Sequence, residues 1–217
     1  MPPILVLGDR RALAWKRLWR WHLRRLTPRN IAGLVRYLLL RIRFRNLRVG
    51  LFFLDRGGSV RVGPSGRARF GRRVRMMRDF SCSLHGELVI GNDVYFARAC
   101  TVSVHSTVTI GNDCLFGEHV SIHDENHELG DGTEPRASLG FVAAPITIGN
   151  NVWVGAKATI LSGVSIGDNA VIGANAVVTR DVPANSIAVG IPARVVGTAT
   201  PAPTPTAPVL RPALGHA

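Results

Sequence analysis

The sequence predicts an all-β fold in which short parallel strands wind into a β-helix built from six-residue repeats. The first observation is a row of aliphatic residues spaced six apart: Ile148, Val154, Ile160, Ile166, Ile172 and Val178. The second is a parallel row of other apolar residues between them: Val152, Ala158, Val164, Ala170, Ala176 and Val182. The third is a glycine after four of the aliphatic residues, at Gly149, Gly155, Gly167 and Gly173. An ordinary amphipathic strand has a period of two, so a period of six indicates a hexapeptide β-helix.

The same repeat extends toward the N-terminus with a change of phase. One row contains Ile90, Phe96, Val102 and Val108, and a row shifted from it by two residues contains Val104, Ile110, Phe116 and Ile122. With three hexads in a coil, side chains 18 residues apart lie above one another, and stacking of coils builds the core. We therefore expect Cys82 and Cys100 to be buried one coil apart. We also expect glycine at corners that require positive φ.

Basic residues are concentrated at the start of the chain. Of 217 residues, 27 are Lys or Arg and 14 are Asp or Glu, but residues 1–80 carry a net charge of +18 and residues 81–217 a net charge of −5. This asymmetry argues against a uniform nucleic-acid-binding surface and favours a localised anionic partner. No nucleic-acid-binding motif accompanies the basic residues. Apolar stripes at helical spacing within 9–26 and 29–45 predict that residues 1–50 form a basic amphipathic helical segment.

Trp, Leu and Arg on such helices suit the surface of an anionic membrane, and we expect residues 9–45 to dock there. The alternative is that the stripes pack on the body of the protein or on a neighbouring subunit. No apolar run approaches 18 residues, Met1 to Gly8 lacks the features of a secretory signal, and three cysteines do not make a disulfide scaffold. These features predict a soluble or peripheral protein of a reducing compartment.

Residues 51–197 are predicted to form the β-helix domain, with one interruption. No six-residue step occurs between Ile122 and Ile148, where the loop 123–145 is polar and rich in His and carboxylates. An excursion of this length from a regular solenoid is typically functional or disordered. The tail 198–217 is rich in Pro, Ala and Thr and is expected to be disordered.

Two segments carry a resemblance to a known family. They are SIHDENHEL at 121–129 and APITIGNNVWVGAKATILSGVSIGDNAVIGANAVVTRDVPANSIAVGIPARVVG at 144–197. Together they resemble the hexapeptide-repeat, left-handed β-helix acyltransferases, with similarity to the maltose/galactoside O-acetyltransferase branch and its relatives in surface-polysaccharide biosynthesis. The resemblance covers roughly residues 84–197. It implies a left-handed β-helix, a homotrimer, acetyl-CoA as donor and active sites between neighbouring subunits.

The resemblance also implies a general-base histidine in the loop, and the matching residue is His127, with His123 as the alternative. A neutral imidazole, with an ordinary pKa of about 6.5, can remove the proton from a saccharide hydroxyl as that hydroxyl attacks a thioester. A nearby carboxylate can orient the imidazole, and Asp124, Glu128 and Glu125 are the candidates in the loop. The sequence does not choose among these three.

For the acyl-CoA donor, the resemblance implies a set of contacts in the C-terminal coils: Trp153, Ala156, Ala174, Thr179, Arg180 and Arg194. Small residues at 156 and 174 would let the pantetheine arm lie close to the coil. The two arginines suit bidentate contacts with phosphate. Trp153 either lines the outer wall near the cofactor or covers a face of the coil.

The sequence departs from the sugar acetyltransferases in two places. Ala99 stands near the position of an acceptor-binding Asn, and the basic segment 1–50 replaces the usual N-terminal acceptor-binding segment. We therefore expect O-acylation, with acetyl as the transferred group, of a saccharide or glycolipid at the inner face of the cell membrane.

Two alternative functions remain open from the sequence. An N-acyltransferase for an amino sugar would use the same base. A metalloenzyme resembling the γ-carbonic anhydrases, which share the fold, would use His119, His123 and His127. Residues four apart on a hexad coil do not share a direction, so we expect no metal.

Overall fold

The computed structural model describes Val35 and residues 47–49, 52–135 and 138–199. Val35 is helical, but the rest of the predicted helices of residues 9–45 lie outside the described residues, as does the tail from residue 200 onward. In the part of the chain that is described, no helix has the length and apolar character needed to cross a bilayer.

Three parallel sheets form the faces of a β-helix, and the chain visits them in turn. Sheet A contains β1 (Leu47–Val49), β4 (Arg67–Phe70), β7 (Glu87–Ile90), β10 (Thr107–Ile110), β15 (Ile146–Ile148) and β18 (Ser165–Ile166). Sheet B contains β2 (Phe52–Leu54), β5 (Val74–Met76), β8 (Tyr95–Phe96), β11 (Leu115–Phe116), β16 (Trp153–Val154), β19 (Val171–Ile172), β21 (Ser186–Val189) and β22 (Arg194–Thr198). Sheet C contains β3 (Ser59–Val62), β6 (Ser81–Leu84), β9 (Thr101–Val104), β12 (Ser121–His123), β17 (Thr159–Ile160) and β20 (Val177–Val178).

Two antiparallel pairings interrupt the parallel order. Strand β22 folds back on β21 and ends sheet B. Strands β13 (Glu125–His127) and β14 (Phe141–Ala143) form a separate hairpin within the loop 123–145. The predicted excursion from the solenoid therefore contains ordered secondary structure.

The interior of the β-helix confirms the prediction that the residues spaced six apart form its core. All twelve aliphatic and small residues of the two C-terminal rows are buried, and in the earlier coils the Phe96 ring contacts a tilted Phe80 ring and stacks on Phe116. The Phe96 and Phe116 centroids are 4.5 Å apart. Because a single coil encloses little apolar area, these contacts between successive coils provide most of the core.

The number of residues in a coil differs from the predicted 18 before the loop. In the C-terminal coils the register does pair residues 18 apart, as in Thr159 with Val177. From β4 to β12 the strands pair residues 20 apart, as in Cys82 with Val102, and the first coil is longer still, since Ser59 pairs with Ser81. Cys82 and Cys100 are therefore not stacked on one another, although both are buried as expected. Burial raises the pKa of the Cys82 thiol to about 12 and that of Cys100 to about 11.

The positive φ predicted for corner glycines is found at Gly57 and Gly163 but not at the four glycines of the C-terminal repeat. Gly149, Gly155, Gly167 and Gly173 do not have positive φ; the left-handed positions fall two residues later, as at Asn151. The glycines are required by close approach of the next coil, since a Cβ on Gly155 would lie 2.5 Å from the Ala174 nitrogen. Asn and Asp occupy most of the non-glycine left-handed positions because their short polar side chains tolerate that conformation better than other non-glycine residues do.

Candidate active site

The edge between sheets C and A is enlarged in the coils that precede the loop. The inward Ile110 follows the inward Val102 by eight positions, whereas Ile166 follows Ile160 by six positions in a later coil. The two extra residues explain the change of phase in the hexad pattern. They form corners that carry His85 in one coil and His105 in the next.

The loop 123–145 starts and ends at this same edge. Asp124 lies where the chain leaves the coil, and Ala144 lies where it returns. The Ala144 backbone N–H donates to the Asp124 carbonyl at 2.9 Å, and the Ser162 hydroxyl donates to the same carbonyl at 2.8 Å. The Asp124 carboxylate accepts the backbone N–H groups of His105 at 2.7 Å and Ser106 at 2.9 Å. The root of the hairpin is therefore tied to the coil before it and the coil after it.

His127 lies exposed at the end of β13, and Phe141 is its partner across the hairpin. Their ring centroids are 4.4 Å apart. Phe141 also stacks on His105 at 5.1 Å, and His105 stacks on His85 at 4.8 Å. Four rings thus form a column along the edge, with the predicted general base at its outer end. The His127 ring forms no hydrogen bond with another described residue.

Glu125 lies between two other imidazoles at the inner end of β13. Its Oε1 is 3.4 Å from His123 Nδ1, and its Oε2 is 3.6 Å from His105 Nδ1. Burial by itself would raise the pKa of Glu125, but a hydrogen bond from Ser103 and the two imidazoles outweigh it and lower the pKa. His123 Nε2 is 2.7 Å from the Ser121 hydroxyl, so both ring nitrogens of His123 have neighbours.

The carboxylates predicted to orient the base lie in different surroundings. Asp124 is fully buried. Its carboxylate oxygens accept hydrogen bonds from the backbone of the adjoining corner and not from the ring of His127. Burial raises the pKa of Asp124, while the two backbone hydrogen bonds oppose that shift. Glu128 is exposed, and its backbone N–H donates to the Gly140 carbonyl at 3.1 Å.

Four of the residues predicted to bind the donor lie on two different edges of the β-helix. Ala156 and Ala174 occupy successive corners between sheets B and C, and the Asn175 N–H donates to the Ala156 carbonyl at 2.9 Å. Thr179 and Arg180 are exposed at the edge between sheets C and A, two coils beyond the root of the hairpin. At about 4.8 Å per coil, that offset is about 10 Å along the axis.

Trp153 and Arg194 belong to the strands of sheet B. Trp153 is exposed on the outer face of β16, between Leu115 and Val171 in register. Arg194 is exposed at the start of β22, where its Nη1 donates to the Ala193 carbonyl at 2.8 Å. Within one chain, therefore, the predicted donor residues and His127 do not converge on a single point.

The spacing of His119, His123 and His127 does not produce a cluster. His119 lies at a corner between sheets B and C, His123 ends β12 and His127 is on the hairpin. Within the described residues, His105, Asp124 and Glu125 do offer ligand atoms within 4.8 Å of one another. Both oxygens of Asp124 already accept backbone hydrogen bonds.

Sequence reasoning did not single out His85, His105 and Phe141. A signal for the two histidines was present, because they are 20 residues apart, which is the coil length in this region. The two-residue change of phase marks the enlarged corner on which they lie. The pairing of Phe141 with His127 had no comparable signal, since the turn of the hairpin breaks the repeat.

Comparisons with known proteins agree with this architecture. A family model described as the hexapeptide repeat of succinyl-transferase matches residues 145–180. A probable acetyltransferase of Mycobacterium tuberculosis is 34% identical over 169 residues, which is 75% of this chain and 56% of that protein. A galactoside O-acetyltransferase of Escherichia coli is 42% identical over 77 residues, 36% of this chain and 35% of that protein.

A solved structure of a galactoside acetyltransferase in complex with coenzyme A has a similar fold. Its TM-score is 0.57, its sequence identity is 29%, and the match covers 87% of this chain and 80% of that chain. Against the two curated relatives, the aligned part spans about half of the length of the first and about a third of the second. These matches confirm the resemblance drawn from the sequence.

Proposed function

We propose that this chain, whose β-helix is that of the hexapeptide-repeat acetyltransferases, is an acyl-CoA-dependent O-acyltransferase. The donor is acetyl-CoA, and the acceptor is a hydroxyl group of a saccharide or glycolipid, as in surface-polysaccharide biosynthesis. His127 is the general base. The curated acetyltransferases and the coenzyme A complex described above support the reaction class.

The reaction needs one base and no redox partner. The His127 imidazole takes the proton from the acceptor hydroxyl as its oxygen attacks the thioester carbonyl. The tetrahedral intermediate then collapses, the C–S bond breaks and an ester forms. The imidazolium returns its proton to the coenzyme A thiolate, so that the free thiol leaves and the base is regenerated.

The observation that carries this proposal is the environment of His127. Its ring is exposed and is backed on one side by Phe141, and no recorded hydrogen bond to a described residue occupies its nitrogens. His123 is less suited to the same role, because Ser121 and Glu125 flank its two nitrogens. A base must reach the acceptor with one free nitrogen, which favours His127.

The active protein is proposed to be a homotrimer with the site between neighbouring subunits. In sheet B an outward row of mostly apolar side chains runs along the coil: Tyr95, Leu115, Trp153, Val171 and Ile187. The corresponding outward rows of sheets A and C contain mainly Thr, Ser and Arg. An apolar face of this extent is suited to a second copy of the chain. Sedimentation equilibrium should give three times the 23.4 kDa chain mass.

The basic start of the chain is proposed to dock on an anionic membrane, which would put the reaction at the inner face of the cell membrane. Arg56, Arg61, Arg67 and Arg72 in the first coils are exposed and form no ion pair with a described acidic residue, and they extend the positive charge of residues 1–50. Flotation with phosphatidylglycerol vesicles should require residues 1–50 and weaken with salt. Equal flotation of the truncated protein would exclude this docking mode.

For the donor we propose that Arg180 and Arg194 contact the coenzyme A phosphates and that Trp153, Ala156, Ala174 and Thr179 line the path of the pantetheine arm. Replacing Arg180 by Ala should weaken acetyl-CoA binding by about tenfold or more, because a hydrogen bond to a charged group is worth about 1.5–3 kcal/mol. Isothermal titration calorimetry measures the change in Kd. Arg61→Ala, an exposed arginine on β3, is the matched control. Unchanged affinity in Arg180→Ala would remove Arg180 from the donor site.

The function itself is tested by following free thiol release from acetyl-CoA. The acceptor pool is a membrane glycolipid extract, compared with a free saccharide, an amino sugar and no acceptor, each with and without chelator. Release that needs an acceptor hydroxyl and ignores chelator supports the proposal. Transfer only to the amino sugar would make the protein an N-acyltransferase. Activity abolished by chelator would favour the metalloenzyme alternative.

A further inference from the structure

The column of rings beside the proposed base includes two histidines that the proposed reaction does not use. His105 lies in the middle of this column, with His85 on one side and Phe141 on the other. The interplanar angles are 16° and 24°, so the rings are nearly parallel. Phe141 in turn contacts the His127 ring at 4.4 Å. Stacked rings of this kind restrict one another's orientation.

His105 is itself fixed at several points. Its backbone N–H donates to Asp124 Oδ1 at 2.7 Å, which ties the corner to the root of the hairpin. Its ring nitrogen Nδ1 is shielded from solvent and lies 3.6 Å from Glu125 Oε2. The His105 side chain is 26% exposed and that of Glu125 is 13% exposed. The titratable groups around this ring are therefore Glu125 beside it, Asp124 at its backbone and the stacked His85, with His123 on the far side of Glu125.

The two contacts of the His105 ring reach both strands of the hairpin. Glu125 and His127 are two residues apart on β13 and therefore lie on the same face of that strand. Phe141 is the cross-strand partner of His127 on β14. His105 thus touches the inner end of β13 through Glu125 and the outer end of β14 through Phe141.

From these contacts we infer that His105 is a positioning residue for the general base: through Phe141 and Glu125 its ring sets the position and orientation of the His127 imidazole. This inference rests on the proposed function and adds a residue to it. The stack acts through ring packing. A phenyl ring at position 105 therefore keeps most of the effect on the orientation of His127, while a small side chain removes that effect.

The test compares His105→Ala, His105→Phe and the control His119→Asn in the full-length protein. His119 is exposed, makes no recorded ring contact with a described residue and has a φ of 58°, which Asn adopts readily. His105→Ala should lower kcat by about ten- to a hundredfold with little change in the KM for acetyl-CoA, because a displaced base costs rate more than donor binding. His105→Phe should recover most of kcat, and His119→Asn should match the wild type. The pH profile of kcat should change in His105→Ala and not in His119→Asn.

Nuclear magnetic resonance of the His127 ring protons provides a readout that does not depend on activity. Stacking on Phe141 shifts these protons through the ring current, and His105→Ala should reduce that shift while His105→Phe preserves it. Unchanged kcat and unchanged His127 shifts in His105→Ala would overturn the inference, and so would a loss of kcat in His105→Phe equal to that in His105→Ala. An active His127→Ala variant would instead refute the proposed base, and the proton shifts would still decide whether His105 controls the His127 ring.

Discussion

Replacing His127 by Ala is expected to lower kcat/KM for acyl transfer by a factor of about 10² to 10⁴, the usual contribution of a positioned general base. The exposed ring forms no hydrogen bond with a described residue and contacts Phe141 on one side, so its removal should leave the fold intact. Thiol release with the glycolipid acceptor measures the loss. The affinity for acetyl-CoA should stay close to that of the wild type, because the proposed donor contacts lie on other coils.

Two further variants make this result specific. His119→Asn removes a histidine of the same segment that is exposed at a distant corner, and it should keep full activity. His123→Ala removes the alternative base, and it should lower the activity less than His127→Ala does. The opposite order, with an inactive His123→Ala and an active His127→Ala, would transfer the role of base to His123. Full activity in both variants would contradict the proposed mechanism.

The fold was predictable because the inward apolar residues that produce it recur every six residues along the sequence. Each C-terminal coil places the same residue types at the same step, and all of those positions are buried as the pattern requires. The coil length of 20 residues before the loop was not predicted, although the shift between Val102 and Val104 was visible in the sequence. The reason for the repeated glycine also could not be found in the sequence, because the atoms that exclude a side chain at Gly155 belong to the backbone of the next coil.

The site could be predicted less completely from the sequence, because its contacts join the coil to the hairpin, which lies outside the repeat. His105 and Phe141 are 36 residues apart and meet only because the hairpin folds back over an enlarged corner. The sequence also could not show which imidazole or backbone group each of the three loop carboxylates contacts, because that depends on the direction of the chain at Asp124. Alternation along β13 places Glu125 against two imidazoles, while Asp124 faces the backbone of the preceding coil.

Asp124 is expected to be the residue of the loop on which folding depends most. Its carboxylate is fully buried and accepts two backbone N–H groups, from His105 and Ser106. In Asp124→Ala both donors lose their acceptor, and each unsatisfied buried group costs about 1–3 kcal/mol. The free energy of unfolding should therefore fall by about 2–6 kcal/mol, measured by urea denaturation of the full-length protein. Acyl transfer should fall as well, because the same bonds hold the corner of His105 and the root of the hairpin.

Asp124→Asn separates this structural role from the orienting role that the sequence suggested. An amide oxygen can accept one of the two N–H groups, but the amide nitrogen then faces the other donor, so about half of the loss in stability should remain. Glu128→Gln is the matched control: it makes the same chemical change at an exposed carboxylate of the same loop and should leave stability unchanged. A stable Asp124→Asn variant that has lost activity would show instead that the carboxylate acts on the base. A variant that loses stability and activity together, with His127 protons that shift as in His105→Ala, would identify Asp124 as the residue that holds the enlarged corner in place.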